Sequence, residues 1–322
     1  MSLRNEISRR VAQFQHLWMG RPEHVIFFGA GLGDDLLCTA VAHELKKRTT
    51  GKIVMFSKYP SLFEESPDVS AVYDLGYPTI GRRRRWGYSS IIPQYASYDA
   101  ATDRDINPSA HFIETMCRMA GIKGVIELRS HIYLRSREME KGRLYPSQAV
   151  IHSAGLASMK NKQWPTERYQ AVADDLRKDV RWIQLGLAED PPILGALDLR
   201  GRTTLRETAA ILANSKIFLG EAGFLMHLAR AVETRAVIVY GGREDSMVSG
   251  YRANENIVGH TPCSPCWQRT RCDYGHECMR IIGVDEVVAA VRRQLDREGI
   301  SLEVEKVALD VAQGALDVTL SK

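Results

Sequence analysis

The sequence predicts an α/β chain built from two parallel-sheet units in succession. Three observations carry this expectation: short apolar runs alternate with stretches of helical period in each half, a glycine-rich turn follows the first run, and a charged stretch separates the halves. At 322 residues the chain is longer than one hydrophobic core usually grows, which favours two domains. Apolar residues make up 44% and charged residues 25%, the balance of a globular protein, so disordered and collagen-like classes are excluded. A formal charge of +4 is too small at this length to imply nucleic acid, and it suits an anionic substrate or a membrane surface. No run approaches the roughly 18 to 20 apolar residues of a membrane span. The opening MSLRNEISRR carries charges where a signal peptide would be apolar, so a cytoplasmic protein is expected.

Taken in order, HVIFFG (His24 to Gly29) reads as a strand ending in glycine, GLGDD as a tight turn, and Leu36, Leu37, Val41 and Leu45 mark the helix behind it. KIVMFS (Lys52 to Ser57) and AVYDLG (Ala71 to Gly76) read as further strands, with a short helix at Ser61 to Glu65. A polar, arginine-rich stretch runs from Gly81 to Ile106, and a helix is expected from Pro108 to Gly121, with proline in its first turn and glycine at its end. Arg135 to Ser147 is highly charged and reads as a linker. The alternation then resumes, with strands at Ala149 to Ser153, Arg181 to Gly186, Lys216 to Glu221 and Arg235 to Gly242. The helices of this half are one opened by Pro165, one capped by Thr203 or Thr204, FLMHLARAV, and Asp285 to Arg297. Strands separated by helices make parallel sheets covered on both faces. The expected domains are residues 1–146 and 147–300, followed by a 301–322 tail with no clear period.

GAGLGDD (Gly29 to Asp35) invites comparison with a dinucleotide fingerprint, but its third glycine is missing and Asp34 stands there. A carboxylate where a pyrophosphate would sit is repulsive, which disfavours an NAD-binding oxidoreductase. Asp34 is either a helix cap or a carboxylate at the open end of the first strand, able to take a proton from an attacking hydroxyl. In the second half, Lys160 and Lys162 precede Trp164-Pro165, where a helix begins. An ammonium and free helical N–H groups can converge there on an anion, although a solvated charged loop has the same pattern. GEAGFLMHLARA puts Glu221 at a strand end, Gly223 in the turn and His227 on the first turns of the next helix. That turn suits a phosphate, while a lone helical histidine is as readily structural.

These segments, in this order, resemble the ADP-heptose heptosyltransferases of lipopolysaccharide assembly, glycosyltransferase family 9. GLGD (Gly31 to Asp34) resembles the family's GALGD loop, SPDVSAVYDL (Ser66 to Leu75) its NPxVDxVIDL stretch, and KNKQWPTERY its lysine-x-tryptophan-proline segment with Lys162 as the lysine. The stretch from Leu199 to Val232 resembles LxGKTSLxELAALLxxADLFVGNDSGPMHLAAAL. One departure stands out: the family's Asn-Asp-Ser-Gly-Pro run falls on Glu221, Ala222, Gly223, Phe224 and Leu225, so the acid is one place early.

The resemblance implies a GT-B fold, two Rossmann-like domains facing across a cleft, with the acceptor on the first and the nucleotide-sugar on the second. It implies inverting, metal-independent transfer of a heptose from an ADP-activated donor, with no cofactor for catalysis. Asp34 would be the general base, Lys162 would neutralise the donor diphosphate, and the Gly223 to His227 turn would hold phosphate. Gly33, Ser153, Glu189 and Thr203 would lie along the donor, and Glu221 would accept from its hydroxyls. The acceptor would be a lipid-linked glycan of the lipopolysaccharide core, with a protein or a small-molecule glycoside as the alternative.

Cys263, Cys266, Cys272 and Cys278 have C-x2-C-x5-C-x5-C spacing, with His276 inside it, and resemble the cysteine cluster of some members. In a cytoplasmic protein this points to a structural zinc or iron ion rather than disulfides, the alternative being unmetallated surface cysteines. Cys38 and Cys117 lie in apolar helical patterns and read as buried small hydrophobes. Arg82 to Arg85, followed by Trp86, is either a solvated loop or a docking patch for an anionic acceptor at the inner membrane face. Nucleic acid would need a larger basic surface.

Overall fold

The computed structural model describes residues 23–27, 31–74, 89–106, 108–153, 157–297, 301–302 and 304–309. The Arg82 to Arg85 run, Trp86, Gly29 and most of the tail lie outside these residues.

The first half holds β1 (His24–Phe27), β2 (Ile53–Ser57), β3 (Ala71–Asp74) and β4 (Ser89–Ile91) in one parallel sheet of order β3-β2-β1-β4. Helix α1 (Leu32–Lys46) follows β1, and a 3-10 turn, Pro60–Phe63, stands where a short helix was expected. Strands β5 (Tyr98–Asp99) and β6 (Arg104–Asp105) form a small antiparallel ribbon, α2 (Phe112–Met119) follows, and β7 (Gly124–Glu127) ends this part. The polar stretch from Gly81 to Ile106 thus contributes a sheet strand, β4, which its composition hides: only three residues of it pair with β1.

The expected linker is a helix. In α3 (Ser136–Gly142) the Arg135 N–H donates to Glu138 at 2.7 Å, the back-bond of a capping box, so a highly charged segment still folds. It packs on α5 of the second half so closely that a Cβ on Gly142 would lie 2.3 Å from the Ala210 carbonyl, and only glycine fits.

The second half comprises β8 (Gln148–Ile151), α4 (Thr166–Asp175), β9 (Arg181–Gln184), β10 (Leu197–Asp198), α5 (Leu205–Ala213), β11 (Phe218–Glu221), α6 (Phe224–Ala231), β12 (Ala236–Tyr240), α7 (Ser246–Ser249), β13 (Glu255–Val258), α8 (Glu277–Arg280) and α9 (Val284–Leu295). Its six strands are all parallel, in the order β10-β9-β8-β11-β12-β13. Thr204, not Thr203, caps α5, accepting from Glu207 N–H at 3.2 Å, while Pro165 precedes α4 as expected. β14 (Lys306–Leu309) then returns to the first half and pairs antiparallel with β7, which places part of the tail.

Apolar side chains of both halves, among them Leu36, Leu37, Met226 and Tyr240, belong to one buried cluster, and a second lies behind the larger sheet around Trp164, Tyr169 and Val287. The halves are also bound by Arg206 on α5. Its guanidinium donates to Glu138 at 2.6 and 2.7 Å and to the carbonyls of Tyr133 (2.7 Å), Ser61 (3.2 Å) and Glu64 (3.3 Å).

Removing that buried fork strands its acceptors, so Arg206→Ala should cost about 3 kcal/mol in urea unfolding. Arg206 holds the Glu138 carboxyl down to about 2, below its unfolded value of 4.5. The contribution of this pair is therefore present above about pH 4.5 and lost as pH falls toward 2. The stability gap between wild type and Arg206→Ala should close over that window; a gap constant to pH 2.5, on the order of the neutral value, would show that the pair is not its source.

Candidate functional site

Each sheet reverses its strand order once, between β1 and β4 and between β8 and β11. In open α/β sheets ligands bind outside the carboxyl ends of the strands at such reversals. The segments leaving β1, β8 and β11 carry Gly33 and Asp34, Ser153, and Gly223. The first and third meet: a Cβ on Gly33 would lie 3.7 Å from Cα of Phe224, the first residue of α6, so the glycine turn of one half rests on the helix start of the other.

Asp34 is the third residue of α1 rather than its cap. Its Oδ2 accepts from the N–H of Gly31 at 2.8 Å, and its Oδ1 accepts a short hydrogen bond from the Tyr95 hydroxyl. Tyr95 stacks on Phe112 with ring centroids 4.0 Å apart. Burial, then Asp34, then Glu244 and Asp105, push the Tyr95 phenol well above its usual range, so three carboxylates surround one ring. The adjacent Asp35 faces the core instead. Its Oδ2 accepts from Ser57 and from the Lys58 N–H at 3.1 Å, yet burial still raises its carboxyl to about 6.

Lys162 ends a 3-10 turn, Ala157–Lys162, and its ammonium reaches the Glu244 carboxylate at 2.8 Å and the Ala222 carbonyl at 3.2 Å. Glu244, which the sequence did not single out, organises the place. Burial opposes its ionisation, but Lys162 and Arg243 outweigh that and hold its carboxyl down to about 2. Arg243 bonds Glu244 at 2.6 Å and also Asp105 on β6, and Arg269 bonds Asp105 at 2.6 Å. The network holds three cations, Lys162, Arg243 and Arg269, against two carboxylates, Glu244 and Asp105, and so has one positive charge in excess.

The other expected residues divide. Gly223 precedes α6 with extended backbone, and a Cβ there would meet open space, so the start of α6 is accessible. Glu221 is buried at the end of β11. Ser153 is buried, donating to the Pro191 carbonyl at 2.8 Å and accepting from Gln184 at 3.1 Å. Thr203 shares a hydrogen bond with Thr208 at 2.8 Å, and Glu189 is exposed in the loop after β9. His227 is packed inward, its Nδ1 2.7 Å from the Tyr251 hydroxyl. Burial, with the nearby His111 and Lys162, lowers its pKa to about 3, so the ring is neutral. His111 caps α2, its Nδ1 accepting from Ile113 N–H at 3.2 Å, which leaves Nε2 to donate to the Gly250 carbonyl at 3.1 Å across the halves.

The cysteine loop is distant in sequence but adjacent in space. Asn161, beside Lys162, donates to the carbonyls of Gln268 (3.0 Å) and Arg271 (2.8 Å), and its side-chain oxygen lies 2.8 Å from His276 Nε2. The N–H groups of Cys266 and Trp267 donate to the carbonyls of Gly242 and Arg243, both at 2.8 Å. Burial raises the thiols of Cys266 and Cys278, and neighbouring thiols raise them further. The loop carries Cys263, Cys266, Cys272 and Cys278, all half-buried and none in a disulfide. The donor set suits a thiophilic ion in kind.

The chain is similar in fold to solved glycosyltransferases. It is similar to a family 9 glycosyl transferase from Veillonella parvula (15% identity, 86% of this chain and 98% of that one, TM-score 0.67). It is similar also to the ADP-heptose lps heptosyltransferase II of E. coli (15% identity, 86% and 99%, TM-score 0.63). A third is the iron-containing dodecameric glycosyltransferase TibC from enterotoxigenic E. coli (17% identity, 86% and 77%, TM-score 0.66), also solved with ADP-D-β-D-heptose. No curated protein matches the chain in sequence. Two facing Rossmann-like sheets of this kind are the fold of a GT-B glycosyltransferase. Residues 119–275 match the family model described as glycosyltransferase family 9 (heptosyltransferase), the family that the motifs of the chain resemble. Among the described residues no helix is long and apolar enough to cross a membrane.

His111 and His227, held neutral with pKa values of about 4 and about 3, take up protons only on unfolding as pH drops below 6.5. Both depressed values make stability present above pH 6.5 and lost as pH falls below it. Carbon-bound ring proton NMR signals of these two histidines should stay fixed from pH 8 to about 5, and a midpoint near 6.5 for His227 would show it to be solvated.

Proposed function

We propose that the protein transfers a heptose from an ADP-activated donor to an acceptor hydroxyl with inversion, the acceptor lying on residues 1–146 and the donor on residues 147–300. The observation that carries this reading is the juxtaposition, at the two strand-order reversals, of a positioned carboxylate and a cationic network with one charge to spare. A donor diphosphate would share Lys162 with Glu244 and lie at the open start of α6, before Gly223. Glu221, Ser153, Thr203, Glu189 and Gly33 would flank the nucleotide and sugar, while the neutral His227 would support α6 from behind rather than supply charge. The relatives solved with ADP-heptose favour that donor.

Displacement at the anomeric carbon passes through a cation-like transition state and releases a diphosphate, so the protein must absorb negative charge on phosphate and a proton from the acceptor. Lys162 and the helix start do the first. Asp34 does the second: its oxygens are held by the Gly31 N–H and the Tyr95 hydroxyl, which aim it and leave lone pairs for the acceptor. The transfer needs no metal in this scheme, and no step passes through the cysteine loop, which we assign a structural zinc or iron role behind Lys162. Lipopolysaccharide core is the acceptor we favour, reached from a cytoplasmic station at the inner membrane face through the Arg82 to Arg85 run.

Asp34→Asn should bind ADP normally and lose turnover on the order of 10² to 10⁴-fold. Diphosphate release measured over a panel of nucleotide sugars tests both halves of the reading, and near-normal turnover in that variant sinks the base assignment. Lys162→Ala should weaken ADP binding by calorimetry about 10 to 100-fold, with Glu244→Gln, which frees the ammonium, tightening it. Unchanged affinity in both variants would remove Lys162 from the donor site.

A further inference from the structure

A second group of donors lies at the other end of α1. His43, near the end of that helix, Glu127, the last residue of β7, and His131, on the loop that follows, each present a ligand atom, and the three atoms lie within 4.8 Å of one another. Asp34 is nine residues back along α1, about 13 Å at 1.5 Å per residue, so this group stands apart from the cleft. The three positions are held independently. Asp68 Oδ2 lies 3.0 Å from His43 Nδ1 and accepts from the Tyr133 hydroxyl at 2.8 Å. A carboxylate on one ring nitrogen fixes the tautomer and leaves the lone pair on the other nitrogen, the arrangement found behind metal-bound histidines. The His131 N–H donates to Thr39 Oγ1 on α1 at 2.8 Å, and its ring stacks on that of His43 with centroids 3.8 Å apart. His131 is only 7% exposed, yet its Nε2 has no hydrogen-bond partner among the described residues. A buried ring nitrogen without a partner is costly unless something else supplies one. Glu127 accepts from Lys47 at 3.0 Å through Oε1, and its carboxylate has a second oxygen to offer.

We propose that His43, Glu127 and His131 form a site for a divalent ion of the zinc class, with Asp68 as the carboxylate that orients His43. Two imidazoles and one carboxylate are a borderline donor set that suits zinc or cobalt and lacks the sulfur of the cysteine loop. The ion would join the end of α1 to β7 and the loop after it, stiffening the helix that carries Asp34 without touching the reaction.

The test uses the full chain, stripped with chelator and titrated with Co²⁺. Wild type should bind one equivalent more than His131→Phe, whose ring can still stack on His43. The difference spectrum should show ligand-field bands without sulfur-to-cobalt charge transfer, and Zn²⁺ should raise the melting temperature of wild type but not of this variant. Glu127→Gln, a second substitution that leaves the stacked rings alone, should lose the same equivalent and decides the matter where His131→Phe does not fold. Equal stoichiometry in wild type and variants, or an extra equivalent bound only through sulfur, overturns the proposal. Neither outcome bears on ADP binding at Lys162, so the two readings fail separately.

Discussion

The structure depends on a line of charge, buried at Glu244 and Arg243 and half-buried at its ends, that runs from Lys162 through those two to Asp105 and Arg269. Charges taken out of water must be paired with good geometry or they destabilise the fold, and a chain of alternating sign meets that condition only when every member is in place. The members come from distant parts of the sequence: a turn before α4, the segment after β12, the ribbon strand β6, and the cysteine loop. Fixing the line therefore fixes how those parts lie together, and it explains why a ribbon as short as β5 and β6 keeps its place. Its excess positive charge gives a folded protein a standing attraction for an anion at the point where the sheets face each other.

Around that line the halves are joined by neutral contacts of several kinds. His111 caps a helix of one half and donates to a carbonyl of the other, with Tyr251 and His227 packed beside it. Burial keeps these rings uncharged, which spares the interface a second set of ions to satisfy. Gly33 against Phe224 and Gly142 against Ala210 bring backbones together where a side chain would hold them apart. Both glycines serve proximity, in contrast to Gly223, whose missing side chain leaves space in front of α6.

Much of this was legible in the sequence. The alternation of apolar runs and helical period located the strands at 53–57, 71–74, 181–184 and 236–240 to within a few residues, because buried parallel strands leave an apolar signature. The collinear motifs pointed to the family whose model matches residues 119–275. What escaped had weak local signals: β4 offers three paired residues in polar surroundings, β7 is half exposed, and α3 is held by a capping box and a partner helix rather than by an apolar stripe. At the candidate site, Asp34 and Lys162 stood out in the sequence from their neighbours, whereas Tyr95, Asp105 and Glu244, which the structure places beside them, did not. No spacing rule joins residues that meet only after folding, and Glu244 could have been suspected only as an acid two residues beyond the glycine pair that follows β12. The Asp34 capping bond shows the same limit, since the residue was legible as a helix-start acid but its third-position role depends on where α1 begins.

The return of the chain through β14 to pair with β7 means that the polypeptide passes between the halves twice, once after α3 and once after α9. One covalent passage would act as a swivel and leave three rotational freedoms to the packed contacts alone. Two passages define a line, as two pins define the axis of a door. Any widening of the cleft must then be mainly a rotation about the line through both, which spares contacts near that axis and breaks those far from it. Rotation confined to one line would carry Asp34 and Lys162 along a single fixed path relative to each other.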